Sequence, residues 1–420
     1  MVLKKFIFII FVLLLYNCKS SRISKSLSNN LESSFYNNLF TGVLVINPRT
    51  MDTIVSYNAN KFFTPASNTK IFTLFSALQF LSDSIPAFKY AINKDTISIL
   101  GTGDPSFLHP FFADSTALKL ALKYKKVHLI INNLVDDKFA PGWAWEDFDT
   151  YFSPERSALP MYGNVLSVSN TDSLQCSPIF LRNKVHFSDR KFRRDYNSNE
   201  FYYNPNSSNS VEIPMVMDSL LVRNLWNDLL PNKVSFKKYI PQKMEIAYSI
   251  PSDSLYKRML FTSDNFLAEQ MLVLASSTLS DTLNTAKIRD LILSDYLSDL
   301  KQKPRWVDGS GLSRYNLFTP SSFVQVLSKL YVTVPRDRLL NFFPIGGVSG
   351  TLKNWYTGNP RPYIYAKSGS LSNNYCLSGF LITNKGETLI FSFMNNHFNV
   401  PTKAVKKQME VFFESLRDQY

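Results

Sequence analysis

The stretch at residues 65–81 constrains the fold of this chain more than any other, because it joins a helix start to a strongly apolar helix. Pro65 ends any extended segment, Ser67 can cap a helix, and residues 71–81 place apolar side chains at helical spacing. A helix that is apolar on most sides must be covered by the rest of a core. Ser67 is therefore predicted at the first turn of a buried helix.

The segments on either side of this helix predict one α/β (α+β) domain that carries an inserted, mainly β module. Strand patterns come before the helix, helical patterns occupy the middle of the chain, and strands with a last helix end it. Residues 91–245 instead hold short strand-like runs between loops rich in Asn and Ser. We predict this insertion to form two small subdomains, and residues 35–90 and 246–420 to form the main domain.

Individual elements follow from the same patterns. Strands are expected at 41–48, 53–57, 96–100, 126–131, 165–169, 185–187, 243–248, 363–366, 375–383 and 387–394. Helices are expected at 71–81, 252–277, 284–300, 320–330 and 402–416.

The N-terminus has the pattern of an exported protein. Lys4 and Lys5 precede an apolar run at 6–16, which is too short to span a bilayer comfortably. Because Leu15 stands three residues before Cys18, residues 1–18 resemble a bacterial lipoprotein signal peptide, and lipid on Cys18 would tether the chain to a membrane. Cleavage by the ordinary signal peptidase near Ser20 is the alternative. Residues 19–34, rich in Ser, Asn and Lys, are predicted to form a flexible linker.

Charge and cysteine content exclude several classes of partner. The formal net charge of +13 favours an anionic partner, but the charge is spread along the chain without a nucleic-acid-binding motif, so we expect no nucleic acid. Cys176 and Cys376 are predicted to be unpaired thiols. Metal-ligand spacings do not occur, so we expect no metal.

A lysine-assisted serine is the best candidate for catalysis, because none of the four histidines lies in a motif typical of a serine triad. In Ser-x-x-Lys, one helical turn places Ser67 and Lys70 on the same face. Burial or a second cation can then keep the lysine neutral enough to accept a proton. Alone, Ser67 could equally be a helix cap, since the same pattern starts at Ser188, Ser235, Ser254 and Ser298.

Two later motifs change this balance. Ser263 and Asn265 form a Ser-x-Asn pattern, which could also be the polar start or a kink of a helix. Lys367-Ser368-Gly369 lies between two strand patterns, where glycine allows a substrate to approach the strand closely; a β-turn or an edge bulge is the alternative. The order SxxK, SxN, K[ST]G is typical of the penicillin-recognising serine acyltransferases.

The chain resembles the D-Ala-D-Ala carboxypeptidase/endopeptidase family, the class C low-molecular-mass penicillin-binding proteins, over about residues 36–415. The matching strings are PASNTK at 65–70, GDP at 103–105, APGWAWEDF at 140–148, SDN at 263–265, DGSGLSR at 308–314 and KSGSLSNNYCLSGF at 367–380. The resemblance implies a penicillin-binding/β-lactamase-like transpeptidase domain with an insertion between the first two motifs. It also implies a serine peptidase that acts on peptidoglycan stem peptides, needs no organic cofactor and is inhibited by β-lactams.

The resemblance assigns catalytic roles to five residues. Ser67 would attack the carbonyl between two D-Ala residues, with Lys70 as its base. Ser263 would relay the proton to the leaving amine, held in place by Asn265. Lys367 would lie across the site and disfavour a second ammonium at Lys70.

Substrate binding is assigned in the same way. The backbone N–H groups of Ser67 and Ser370 would hold the oxyanion. Lys367 and Ser368 would bind the terminal carboxylate, and Gly369 would leave room for the substrate backbone. Asp147 corresponds to an acidic residue that faces the free amino group of the diamino acid, although it could also be a surface carboxylate.

Some features depart from the family pattern, and two other functions remain compatible with parts of the sequence. Ser349 stands where the family usually has Asp in a GxDGTL loop, and the insertion looks short. A β-lactamase would need a base that deacylates Ser67 quickly, and we identify none. A non-catalytic envelope lipoprotein would not need three motifs with intact reactive groups. Carboxypeptidase and endopeptidase activity both fit the motifs, since they differ only in the leaving group.

Overall fold

The computed structural model describes residues 25–170, 173–207, 209–231 and 233–420. The predicted signal peptide at 1–18, with Cys18, lies outside the described residues. Within the described ranges, no helix combines the length and the apolar character needed to cross a bilayer.

Among the described residues, strands predominate at 40–251, consecutive helices occupy 252–342, and three strands with a last helix follow. The strands are β1 (Phe40–Ile46), β2 (Thr53–Tyr57), β3 (Ser84–Asn93), β4 (Thr96–Gly101), β5 (Lys126–Ile130), β6 (Val165–Asn170), β7 (Leu174–Ser177), β8 (Val185–Phe187), β9 (Phe201–Tyr203), β10 (Val211–Pro214), β11 (Val234–Phe236), β12 (Glu245–Pro251), β13 (Ile364–Leu371), β14 (Asn374–Ile382) and β15 (Thr388–Asn396). The helices are α1 (25–31), α2 (Lys70–Phe80), α3 (Thr116–Ala121), α4 (Ser219–Leu229), α5 (Ser252–Phe261), α6 (Asn265–Ser277), α7 (Thr285–Leu291), α8 (Pro320–Thr333), α9 (Arg336–Phe342) and α10 (Thr402–Gln419).

A five-stranded antiparallel sheet in the order β13-β14-β15-β1-β2 lies between two layers of helices. Successive residues of a strand point to opposite faces, so one strand can serve two cores. In β15, Ile390 and Met394 pack with α2, α5, α6 and α8 on one face, while Phe391 and Phe393 pack with α1 and α10 on the other. This arrangement explains why β14 and β15 are buried at almost every position.

A second unit is built around a sheet in the order β11-β5-β4-β3-β12. The chain enters it after α2 through β3, and β12 pairs antiparallel with β3 before leading directly into α5. Trp226 of α4, fully buried, packs at 5.2 Å from the ring of Phe107 in its core. Smaller sheets, β10-β6-β7 and β8-β9, complete the unit.

Two of the predicted segments are contradicted by the structure. The helix predicted over 252–277 is interrupted between α5 and α6, where Ser263 adopts a φ of 59° and the Asp264 side chain caps α6 by accepting from the N–H of Leu267 at 3.0 Å. The flexible linker predicted at 19–34 is wrong for its described part, because residues 25–31 are helical. Leu27 and Leu31, one helical turn apart, are buried against the main sheet, so this segment packs as an amphipathic helix.

Both cysteines within the described residues are free thiols, as predicted. Cys176 lies in β7 of the second unit, and Cys376 is buried in β14 of the main sheet.

Candidate active site

Ser67 lies in a 3₁₀ turn, Ala66–Thr69, that leads directly into α2. Ala66 has a φ of 48°, a strained value for a residue with a side chain. Two glycines allow other segments to close around this turn: a Cβ added to Gly311 would lie 1.9 Å from the carbonyl oxygen of Ala66, and one added to Gly369 would lie 2.9 Å from the Ser67 nitrogen. The serine is thus held between two backbone segments from distant parts of the sequence.

Lys70 is fully buried at the start of α2, and its ammonium nitrogen joins three segments of chain. The Nζ donates to Ser67 Oγ at 3.1 Å, to Asn265 Oδ1 at 2.6 Å and to the carbonyl oxygen of Ser310 at 2.7 Å. Burial lowers the pKa of Lys70 to about 8, although the carboxylate of Asp308 opposes the shift. A substantial share of this lysine is therefore neutral near pH 8.

Ser263 and Asn265 are presented by the break between α5 and α6. Asn265 opens α6, and its Nδ2 donates to the carbonyl oxygen of Phe152 at 2.9 Å, which orients its Oδ1 toward Lys70. Ser263 lines the same cleft as Ser67. Among the described residues, its side chain forms no hydrogen bond to Ser67 or Lys70.

The third motif lies on edge strand β13, which runs beside the Ser67 turn. Lys367 is fully buried, and its Nζ donates to the carbonyl oxygen of Ser368 at 2.5 Å. Burial, together with the charge of Lys70, lowers the pKa of Lys367 well below its usual value. Ser368 and Ser370 line the cleft, so the strand presents two hydroxyl groups opposite Ser263 and Asn265.

These groups surround one open cleft of about 490 Å³. Its lining comes from both units of the fold: Ser67, Tyr151, Phe152, Glu212, Arg258, Thr262, Ser263, Asp264, Asn265, Gly311, Leu312, Thr351, Ser368, Ser370, Leu371, Tyr375 and Lys406. Lys70 and Lys367 lie directly behind this lining.

Asp308 organises the turn behind Lys70, and the sequence motifs did not assign it a role. Its buried carboxylate accepts hydrogen bonds from Gly311 N at 2.8 Å, Ser313 N at 2.6 Å, Asn316 Nδ2 at 2.8 Å and Trp143 Nε1 at 2.9 Å. The bond from Trp143 connects the APGWAWEDF string to the DGSGLSR string. The joint occurrence of these two strings was the sequence signal that could have identified this contact.

Other cleft residues were missed because their local patterns look ordinary. Thr351 hydrogen-bonds to Ser368 through their hydroxyl oxygens at 2.8 Å, and its only sequence signal was the GVSGTL loop. Lys406 lies 4.9 Å from the ring centroid of Tyr375, but on amphipathic helix α10 it resembles any solvated lysine.

Asp147 does not line this cleft. It lies on a short turn, Trp145–Asp147, four residues before Tyr151, which does line it. Burial raises the pKa of the Asp147 carboxyl, whereas the nearby Arg314 acts in the opposite direction. Asp147 is therefore a half-buried carboxylate, four residues along the chain from the cleft lining.

The arrangement can perform nucleophilic chemistry on a carbonyl. A serine hydroxyl touches a lysine of lowered pKa, and the lysine is held by an asparagine that cannot take up its proton. A strand edge with two hydroxyl groups, those of Ser368 and Ser370, lies across the cleft.

Comparisons with known proteins agree with this geometry. The chain is 23% identical to the penicillin-sensitive carboxypeptidase A of Dictyostelium discoideum, over 82% of this chain and 80% of the relative. It is 24% identical to the D-alanyl-D-alanine carboxypeptidase DacB of Haemophilus influenzae, over 82% of this chain and 83% of the relative.

In fold, the chain matches the crystal structure of penicillin binding protein 4 from Haemophilus influenzae with a TM-score of 0.72 and 21% identity, over 93% of this chain and 98% of that one. The predicted penicillin-binding fold is confirmed. A family model described as "D-Ala-D-Ala carboxypeptidase 3 (S13) family" matches residues 23–213 and 233–416, which is most of the chain. The protein therefore belongs to the D-Ala-D-Ala carboxypeptidase 3 (S13) family and is a serine peptidase of that type.

Proposed function

We propose that the protein hydrolyses the bond between two D-Ala residues at the end of peptidoglycan stem peptides, through an acyl-enzyme formed on Ser67. The observation that carries the proposal is the position of Lys70 Nζ, 3.1 Å from Ser67 Oγ and 2.6 Å from Asn265 Oδ1. A carboxypeptidase releases one D-Ala, whereas an endopeptidase releases a second peptide that is joined through a D-Ala bond. The family name supports the first reaction, and the open cleft accommodates either leaving group.

Acylation begins when Ser67 Oγ attacks the carbonyl carbon and its proton passes to neutral Lys70. The tetrahedral oxyanion would then be held by the backbone N–H groups of Ser67 and Ser370. Close packing of Gly369 against the Ser67 turn supports this arrangement, because it brings β13 beside the Ser67 nitrogen.

Collapse of the intermediate needs a proton for the leaving amine. We assign its delivery to Ser263, which lines the cleft beside Asn265, and we propose that its hydroxyl turns toward Lys70 when a substrate is bound. Water then attacks the ester carbonyl with Lys70 as its base, and the Ser67–acyl bond breaks. The proton taken from water passes through Lys70 to Ser67 Oγ, and the shortened peptide leaves as a carboxylate.

The terminal carboxylate of the substrate would bind at β13. The Ser368 hydroxyl, supported by Thr351, can donate to it directly. Lys367 would strengthen this site on substrate binding, because an adjacent carboxylate stabilises its protonated form and thereby raises its lowered pKa.

A β-lactam would acylate Ser67 as a mimic of the D-Ala-D-Ala unit. The name of the Dictyostelium relative, penicillin-sensitive carboxypeptidase A, supports this for the family. A slow reaction with water would leave the ester in place and inhibit the enzyme. Rapid turnover of penicillin by the purified protein would instead favour the β-lactamase alternative.

We further propose that Asp147 attracts the free amino group of the diamino acid in the stem peptide. Its half-buried carboxylate, four residues along the chain from the cleft lining, supports this role, since an ammonium offsets the burial that raises its pKa.

The substrate implies that the protein acts in the cell envelope, after export by the N-terminal signal. We propose lipid on Cys18 as its membrane tether, and mass spectrometry of the mature N-terminus tests this. An unmodified Cys18, or a mature chain that lacks it, would refute the tether.

The direct test of the proposed reaction is release of D-Ala from a purified muropeptide that ends in D-Ala-D-Ala. We expect the wild type to release D-Ala and Ser67→Ala to release none. A matched control is Ser254→Ala, which removes an exposed serine from another Ser-x-x-Lys pattern. Equal activity of Ser67→Ala and wild type would disprove the assignment, and a cross-linked muropeptide in parallel separates endopeptidase from carboxypeptidase activity.

A further inference from the structure

A second cavity, of about 350 Å³, lies outside the catalytic cleft and combines aromatic walls with positive charge. We call it the aromatic–basic pocket. It is lined by Trp145, Phe148, Arg190, Lys191, Phe192, Arg194, Asp195, Tyr196 and Tyr202.

Arg194 is the buried cation of this pocket, with 2% of its surface exposed. Its Nη1 donates to the carbonyl oxygens of Asp195 at 2.7 Å and Tyr196 at 2.9 Å, and its Nη2 donates to that of Phe148 at 3.2 Å. Among the described residues, Nε has no hydrogen-bond partner, and no carboxylate contacts the guanidinium directly. The charges of Glu155, Asp149 and Asp195 offset part of the cost of burying this guanidinium, while its Nε remains a free donor for a ligand.

The rim adds further positive charge. The guanidinium of Arg190 lies 4.3 Å from the ring centroid of Tyr202, and Lys191 Nζ lies 5.3 Å from that of Phe192. Asp195 is the one acidic residue in the lining, and it already accepts from the Tyr202 hydroxyl at 3.1 Å and lies 3.8 Å from Arg190. Within the lining three cations face one carboxylate, and Glu155 and Asp149 act on Arg194 from outside it, so the cations open to a ligand are Arg190 and Lys191 at the rim.

The walls suit a ligand with an apolar part beside its charge. Trp145 is 69% exposed, although its ring lies only 6.5 Å from that of Phe192. Phe148 packs behind them at 5.0 Å from the ring of Tyr196. Exposed aromatic faces of this kind bury the aliphatic parts of a peptide, while the cations select its carboxylate.

One continuous loop connects this pocket to the catalytic cleft. Trp145 and Phe148 line the pocket, and Tyr151 and Phe152, a few residues later, line the cleft. The four residue-to-residue steps from Phe148 to Phe152 span at most about 14 Å of extended chain, so a peptide of about four residues can bridge the two sites.

We propose that the aromatic–basic pocket binds a carboxylate of the substrate on the acyl side, within about four residues of the bond that is cleaved. The proposal rests on the proposed function, in which the released D-Ala and its carboxylate lie at β13. The rest of the substrate must then leave the cleft in another direction, and the loop that carries Tyr151 leads to the pocket.

The test compares pairs of synthetic peptides that end in D-Ala-D-Ala. Each pair differs only in Glu or Gln at the second, third or fourth residue before the cleaved bond. We expect the wild type to favour the Glu peptide of at least one pair by about tenfold in kcat/KM, because an arginine–carboxylate contact is charge-assisted. In Arg190→Ala/Lys191→Ala, that ratio should fall toward one.

The ratio also controls for damage to the fold, since a loss of active protein lowers both rates equally. Lys301→Ala/Lys303→Ala is the matched control, because it removes the same charge from exposed positions that line neither cavity. A Glu/Gln ratio near one for every wild-type pair would overturn the proposal, as would a ratio that the Arg190/Lys191 variant leaves intact. Faster cleavage of peptides that carry a sugar, with a Glu/Gln ratio near one, would mean that the pocket binds a saccharide and not a peptide carboxylate, and would also overturn the proposal. Failure of the proposed function is distinguishable, because D-Ala would then be released from neither peptide.

Discussion

Replacing Asp308 with Asn should destabilise the protein and shift its pH dependence, because this one carboxylate has two separate roles. Its oxygens accept from Gly311 N, Asn316 Nδ2, Ser313 N and Trp143 Nε1. An amide at the same place turns one acceptor oxygen into a donor, so two of these donors lose their acceptor whichever way the amide is oriented. Each buried donor left unpaired costs about 1–3 kcal/mol, so the free energy of unfolding should fall by about 2–6 kcal/mol.

The second role of Asp308 is electrostatic. Its charge is the largest of the influences that raise the pKa of Lys70 against the effect of burial. Removing that charge should lower the pKa of Lys70 below its value of about 8, so more of the lysine is neutral at a given pH. The pH at which acylation reaches half its maximal rate should therefore move to lower pH in Asp308→Asn.

Urea denaturation measures the first effect, and the rate of acylation by a fluorescent penicillin between pH 6 and 10 measures the second. Asp337→Asn is the control, since the side chain of Asp337 is fully exposed and both effects should be absent. A variant with wild-type stability would contradict the structural role of Asp308. A wild-type pH profile, or a shift to higher pH, would contradict its electrostatic role.

Three further outcomes follow from the site. Gly311→Ala should slow acylation by penicillin at least tenfold, because its Cβ would meet the carbonyl oxygen of Ala66 at 1.9 Å. Gly386 has a similar φ but nothing within 4 Å of an added Cβ, so Gly386→Ala should leave the rate unchanged. Equal acylation rates in the two variants would refute the role of Gly311. In the wild type, the acylation rate should rise with pH and level off above about 8, since Lys70 must lose its proton to act as the base, and a flat profile would exclude it. Asp147→Ala should lose the preference for peptides with a free rather than an acetylated diamino side chain; an unchanged ratio of the two rates would remove its proposed role.

The sequence predicted that the three motifs lie in one site, because the order SxxK, SxN, K[ST]G can be read directly from the chain and is typical of one group of enzymes. Ser67 and Lys70 needed only one helical turn, and a strand pattern around Lys367 was enough to place it at a sheet edge. The strands at 53–57 and 185–187 were predicted with the observed bounds, since alternation and turn residues mark their ends.

Features set by tertiary contacts were not predictable in this way. No Gly or Pro marks the break at Ser263, where positive φ is imposed by the packing of α5 and α6 and by the Asp264 cap. β3 was missed because Pro86 and Lys89 disguise a strand that is completed by distant β12. Asp308 and Thr351 look like ordinary turn residues until the fold brings Trp143 and Ser368 to them.

The domain division remains a prediction. Pairing of β3 with β12 supports an insertion that begins near Ser84 and ends near Pro251, slightly wider than the predicted 91–245. We propose that residues 84–251 form the inserted module, and limited proteolysis at the two junctions tests this. Cuts that fall only inside the module would contradict it.

The residue to which penicillin becomes attached shows whether Ser67 forms the acyl-enzyme. The protein is treated with penicillin, digested, and analysed by tandem mass spectrometry for peptides that carry the added mass. We expect one penicilloyl group on Ser67, and none on the protein when Ser67 is replaced by Ala. An adduct on another serine, or an unmodified protein at saturating penicillin, would contradict the account.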